Sequence, residues 1–233
     1  MKLTDGVEIA ATWVRIDVQE AAPSPQALTA ASLQTYLDQL ASAAPAPGGG
    51  SVAALNAAQG AALLGMVLSL TIGRPRFAAH DAAARSLLKE VERLRADCTA
   101  LIDRDAAVLA ALIATYKMPR STDDEKTTRT AALQERTHEA TVVPLAVARA
   151  AAALLPLCRQ LLPIGNPAAV SDIGVAATCA VAAFRGAELN VLINLGQLHD
   201  TQFVDAARRE LTALGADLEG KAAAILIEVC ARL

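Results

Sequence analysis

Hydrophobic residues make up 54% of the 233-residue chain and aromatic ones only 3%, so alanine, leucine and valine must build the core. Small side chains of high helix propensity suit closely packed helices, and the length allows one large domain or two small ones. The net charge of −3 supplies neither the basic face that nucleic acid needs nor a basic run suited to an acidic membrane surface.

Residues 1–28 stand apart from the rest. VEIAATWVRIDV alternates partly as a strand does and holds the only tryptophan, Trp13, before AAPSPQ breaks it off. An irregular N-terminal arm is expected here, with a short β element packed on the body or on a second subunit. Asp5 and Glu8 fall where a signal peptide needs an uninterrupted apolar stretch, so a cytoplasmic location is expected.

From residue 29 the pattern is helical. A first helix runs from Thr29 to about Ser42, APAPGGG interrupts it, and Ser51 is placed to cap a second helix that Gly73-Arg-Pro closes. Ser51 to Gly73 carries no charge and is long enough to span a bilayer. It contains Asn56, Gln59, Ser69 and Thr71, however, and much of the rest is alanine and glycine. It therefore reads as the central helix of a soluble bundle, covered on all sides. A long third helix is predicted from Ala78 to Lys117. RSTDDEK starts a fourth, capped by Ser121 or Thr122, with acids complementing the helix dipole and a kink at Pro144, ending near Leu155. PIGNPAAVSD leads into a mostly uncharged helix reaching about Leu198, and Asp200 caps one last amphipathic helix. The prediction for residues 29–233 is an all-α, antiparallel helical bundle.

Several residues in this frame can carry chemistry. The first amides of a helix lack intrahelical partners and favour anions, so Gly48, Gly49, Gly50 and Ser51 form either a tight interhelical turn or a binding turn. Ala54, Ala58, Ala62 and Ala57, Ala61, Gly65 are better explained by close helix contact. Val91, Leu94, Cys98, Ile102, Leu109 and Leu112 form one apolar stripe, and Asp105 lies in line with it. That carboxylate is either salt-bridged to Arg74, Arg76 or Arg185, or opens onto a polar cavity with a displaced pKa. Asp103 is offset by about 200° and faces another way. Asp172 is the only ionisable residue between Arg159 and Arg185, and it gathers with Asn166 and Ser171 at a helix start. Asn190 and Asn194 share a helix face, where they either tie helices together or touch a ligand. Cys98, Cys158, Cys179 and Cys230 read as small buried hydrophobes, and His80, His138 and His199 show no metal-ligand spacing.

APAPGGGSVAALNAAQGAAL with LSLTIGR, LIDRDAAVLAAL with KMPR and DEK, and GNPAAVSDIGVAA with FRGAELNVLINL together resemble the cyclodeaminase/cyclohydrolase family. The match runs over about residues 30–220. The resemblance implies an all-α, dimeric enzyme that acts at the N5–N10 bridge of a tetrahydrofolate and needs no metal or further cofactor. The reaction is either interconversion of 5,10-methenyl- and 10-formyltetrahydrofolate or closure of 5-formiminotetrahydrofolate with loss of ammonia. A free-standing domain favours the first, and a non-catalytic folate- or protein-binding module is the rival of another class. The family's catalytic aspartate falls in Asp103-Arg-Asp105, and the stripe argument prefers Asp105. Asn166, Ser171, Asp172, Asn190 and Asn194 are then expected to serve substrate binding at the pterin. Gly48 to Ser51, Lys117 and Lys126 suit the glutamyl tail. Arg120 stands where the family usually has lysine. On this resemblance GGGS is a binding turn rather than a linker.

Overall fold

A computed structural model describes residues 27–233. The arm expected at residues 1–28, with its Trp13 strand, lies outside the described residues apart from its last two. Among the described residues there are seven α-helices and no strand: α1 (Leu33–Leu40), α2 (Gly49–Thr71), α3 (Asp81–Tyr116), α4 (Asp123–Leu161), α5 (Val170–Leu195), α6 (Thr201–Gly215) and α7 (Leu218–Cys230). The all-α class is as expected.

The core is organised around α2, which has no charged residue and buries Ala53, Ala57, Ala61, Leu64 and Leu68 almost completely. Its small residues set the helix spacing. A Cβ on Gly60 would stand 3.1 Å from Leu154 and 3.3 Å from the Cys179 Cβ, so α2, α4 and α5 cross there with no room for a methyl group. Gly186 on α5 meets Ala53, and Gly65 meets Val91 and Glu92 on α3. Early α2 thus faces late α5 and late α3, and α2 runs opposite to both.

Several element boundaries differ from expectation for identifiable reasons. Ser51 is not the cap of α2: Gly48 is, in an extended conformation, and Ser51 lies inside the first turn. Residues 75–80 form a separate 3-10 segment, Pro75–His80, before α3 begins. Helix α4 is capped by Thr122 in a reciprocal box with Glu125. It passes through both Pro144 and Pro156 to Leu161, six residues beyond expectation. Pro144 donates no hydrogen bond to the Ala140 carbonyl one turn earlier, and the Asn194 side chain of α5 supplies it instead, at 2.8 Å. The single C-terminal helix is two helices, because Asp217 adopts a left-handed conformation (φ 55°) between α6 and α7. Cys98 and Cys158 are buried, which pushes their thiols up to about 11 and about 12, but Cys230 is exposed, contrary to expectation.

By length and apolarity, α2, α4 and residues 167–195 are each able to cross a membrane. Helix α2, expected to be covered on all sides, is not: its apolar window is 61% buried and Met66 and Leu70 are exposed, while that of α4 is 67% buried and that of α5 only 50%. Helix α5 therefore keeps an uncovered apolar face, with Val175, Leu189 and Ile193 all more than half exposed.

Candidate active site

The first turn of α2 and the later half of α3 meet at Asp105. This carboxylate is only 9% exposed. The Ser51 hydroxyl donates to its Oδ2 at 3.0 Å and also approaches the Ile102 carbonyl at 3.3 Å. Asp105 lies so close over Gly50 that a Cβ there would collide with both carboxylate oxygens. The glycine at position 50 is what lets a carboxylate reach the helix start. None of Arg74, Arg76 or Arg185 pairs with Asp105, and Arg185 is held by Glu188 and Glu219. The salt-bridge alternative is thus replaced by a helix-terminus contact.

Burial pushes the Asp105 carboxyl above the ordinary carboxylate value, and the Ser51 hydroxyl and amide act against that shift without cancelling it. A desolvated carboxylate with no cationic partner among the described residues is suited to stabilising a positive charge or moving a proton.

Asp103 is directed elsewhere, as its helical offset requires. It accepts from the Thr29 amide at 3.3 Å and the Thr29 hydroxyl at 2.5 Å, anchoring the 3-10 turn Leu28–Ala30 to α3. The pair Asp103 and Asp105 is divided into an anchor and a buried carboxylate.

The other expected site residues fall into two groups. Asn190 lies at the Asp105 end, facing Gly49, and its amide donates to the Gly186 carbonyl of its own helix. Asn194 is next to it and completes α4 at Pro144, the helix-tying option. Lys117 and Lys126 are exposed at the α3–α4 corner of the same end, where Lys126 pairs with Asp123. Asn166, Ser171 and Asp172 lie at the opposite end of α2. The Asn166 amide side chain donates to the Leu70 carbonyl and accepts from Ala168, while its backbone N–H donates to Thr71. Twenty residues of α2 separate Ser51 from Thr71, about 30 Å. One ligand cannot touch both groups within one chain. A groove of about 480 Å³ between α4, α6 and α7, lined by Arg159, Asp217 and Lys221, contains none of these residues.

Two residues at the Asp105 end escaped the sequence reading. Tyr36 is the one buried side chain of α1, and its hydroxyl has no hydrogen-bond partner among the described residues. Burial, and secondarily the Asp105 charge, push its phenol above the ordinary value. Arg129 on α4 has a buried Nε that is likewise unpartnered. Leu40, one turn after Tyr36, packs against the core on the same face, but the equally apolar Leu33 and Leu37 are exposed, and nothing in the local pattern distinguished Arg129 from solvent-facing arginines.

Residues 32–213 match the family model for formiminotransferase-cyclodeaminase. The chain belongs to that family. Among relatives, it is 40% identical to methenyltetrahydrofolate cyclohydrolase of Methylorubrum extorquens, over 80% of this chain and 89% of the relative. It is also 40% identical to formimidoyltransferase-cyclodeaminase of Sus scrofa over 92% of this chain, which corresponds to 40% of that longer protein. The crystal structure of formiminotetrahydrofolate cyclodeaminase from Thermotoga maritima superposes with a TM-score of 0.76 at 27% identity, covering 87% of this chain and 97% of that one. The formiminotransferase-cyclodeaminase relatives named here are enzymes, and this chain is an enzyme of the same family.

Proposed function

We propose that the chain is a methenyltetrahydrofolate cyclohydrolase with Asp105 as its essential carboxylate. The observation that carries this reading is Asp105 itself: a buried, raised carboxylate held by Ser51 over Gly50, with no cation beside it among the described residues. The methenyl bridge is an amidinium cation, which such a carboxylate stabilises. Water adds to the bridge carbon and gives one proton to Asp105; the bond from that carbon to N5 then breaks as N5 is protonated and the remaining hydroxyl proton is lost, leaving the formyl group on N10. This chemistry calls on no metal or redox cofactor, and a cytoplasmic location fits it. Extensive two-way coverage with the Methylorubrum cyclohydrolase supports the hydrolytic reaction. The second reading, a formiminotetrahydrofolate cyclodeaminase, is favoured by the Thermotoga structure. There N10 would close on the formimino carbon and Asp105 would protonate the departing ammonia.

The protein is further proposed to act as a homodimer through the uncharged faces of α2 and α5. Leu189 (69% exposed), Ile193 (52%), Val175 (51%) and Met66 (40%) leave these faces uncovered. A two-fold axis across α2 would bring the Asn166, Ser171 and Asp172 end of one copy beside the Asp105 end of the other. In that arrangement a single folate meets both groups.

Absorbance of 5,10-methenyltetrahydrofolate, followed with purified protein, tests the reaction. Loss of the methenyl band above the spontaneous rate is the expected result. Its appearance from 5-formiminotetrahydrofolate, with no hydrolysis, would replace the cyclohydrolase by the cyclodeaminase. Sedimentation velocity tests the dimer.

A further inference from the structure

At the α3–α4 corner the arrangement of cations is uneven. Lys126 has Asp123 as its partner at 2.8 Å, and Lys117 is exposed at the end of α3. Arg129, one turn after Lys126, has no carboxylate partner among the described residues. Its Nη2 donates to the Tyr116 carbonyl at 3.3 Å, and its buried Nε meets no acceptor among the described residues. A guanidinium stays charged at any accessible pH and presents a planar fork of donors matched to a carboxylate. Half-burying that cation with no carboxylate beside it is unfavourable unless an anion arrives at its accessible edge. Arg149, Arg159 and Arg232, by contrast, are each engaged by a glutamate.

The surroundings of Arg129 are tied in place. The Tyr116 hydroxyl donates to the Gln197 side chain at 3.0 Å, and Gln134 donates to the Gln197 carbonyl at 2.9 Å. These bonds join the end of α3, the start of α4 and the segment after α5. Tyr116 is eleven residues beyond Asp105 on α3, about 16 Å along the helix. An extended folate carries its glutamyl carboxylates at the opposite end of the aminobenzoyl group from the reacting bridge, so with the bridge at Asp105 the tail is directed along the bundle rather than kept beside the carboxylate.

We propose that Arg129 binds a carboxylate of the substrate's glutamyl tail, and that it governs tail affinity more than Lys117 or Lys126 does. The proposal rests on the folate reading above. A carboxylate placed against the accessible edge of the guanidinium takes Nη–H donors and sets an anion beside a cation that has none among the described residues.

The test is a comparison of two substrates: 5,10-methenyltetrahydrofolate and 5,10-methenyltetrahydropteroate, which lacks the glutamyl group. Arg129→Gln is expected to raise KM for the folate by about 10- to 100-fold while kcat stays within about 2-fold. Arg129→Lys restores part of that loss, and wild type and Arg129→Gln treat the pteroate alike. A structural role would move both substrates equally. Equal KM changes on the two substrates, or no change on either, overturn the proposal while leaving the cyclohydrolase reading intact. A folded wild-type chain that turns over neither substrate removes both. Thermal melts monitored by circular dichroism establish that each variant is folded.

Discussion

The two ends of α2 use similar residues for different ends. At the C-terminal end, Thr71, Leu70 and Asn166 satisfy one another: each polar group of Asn166 has a partner, and the joint between α2 and the turn before α5 is closed. At the N-terminal end, among the described residues, Asp105 is buried without a cation and the Tyr36 hydroxyl has no partner. A satisfied polar cluster stabilises, whereas an under-compensated one stores a preference for something not yet bound. The contrast supports the proposal that chemistry takes place at the Asp105 end of this chain, and the Asn166 end is a closed structural joint within one protomer.

The sharpest way to break that contrast is to displace Asp105 without unfolding the protein. Gly50→Ala places a methyl group where the carboxylate is, and a flexible side-chain end can move aside. Turnover should fall by about 100-fold or more, the scale of losing a general acid–base group, with a native circular dichroism spectrum. Asp105→Asn should lose as much. It also has a stability consequence of definite sign. Because the folded carboxyl lies above the unfolded one, its burial penalty is absent below the ordinary carboxylate value and grows as pH rises through the raised one. Asp105→Asn should therefore melt no lower than wild type at neutral pH. Near-normal turnover in either variant would remove Asp105 from the mechanism.

Ser51→Ala should have an intermediate effect. It removes a donor to the charged carboxylate, so the Asp105 value should rise further. The acid limb of the pH–rate profile is then expected at higher pH than in wild type, with a smaller loss at alkaline pH. An unmoved limb would mean that a different group controls it.

Much of this was legible in the sequence. The apolar stripe of α3 singled out Asp105 against Asp103 because helical spacing fixes which residues share a face, and the Ala57, Ala61, Gly65 row of α2 foretold a buried face, whereas Ala62 of the neighbouring row is exposed and the tightest crossing is at Gly60. The partner of Asp105 was not legible, since the choice between arginine and the α2 terminus depends on how two helices separated by a long segment align. The helix break at Asp217 was missed because a left-handed aspartate leaves little trace beside Gly215. Asn194 shows the same limit: its amide position was apparent, but its partner is the carbonyl that Pro144 leaves free on another helix. Asn194→Ala should uncover that carbonyl and lower stability by about 1–3 kcal/mol in a denaturant titration. A larger effect on KM than on stability would return Asn194 to the substrate.

The smallest expected effect belongs to Tyr36, and it separates the two kinds of polar group most directly. A hydroxyl that is buried and unpartnered contributes nothing to the fold that phenylalanine would lack. Tyr36→Phe should leave stability unchanged or raise it by up to about 1 kcal/mol, because a desolvated donor is removed together with its penalty. A drop in melting temperature would show that the hydroxyl is satisfied in solution and belongs with the closed joint at Asn166. An unchanged or higher melting temperature accompanied by a raised KM would show instead that bound substrate supplies the acceptor, placing Tyr36 with Asp105 on the working side of the contrast.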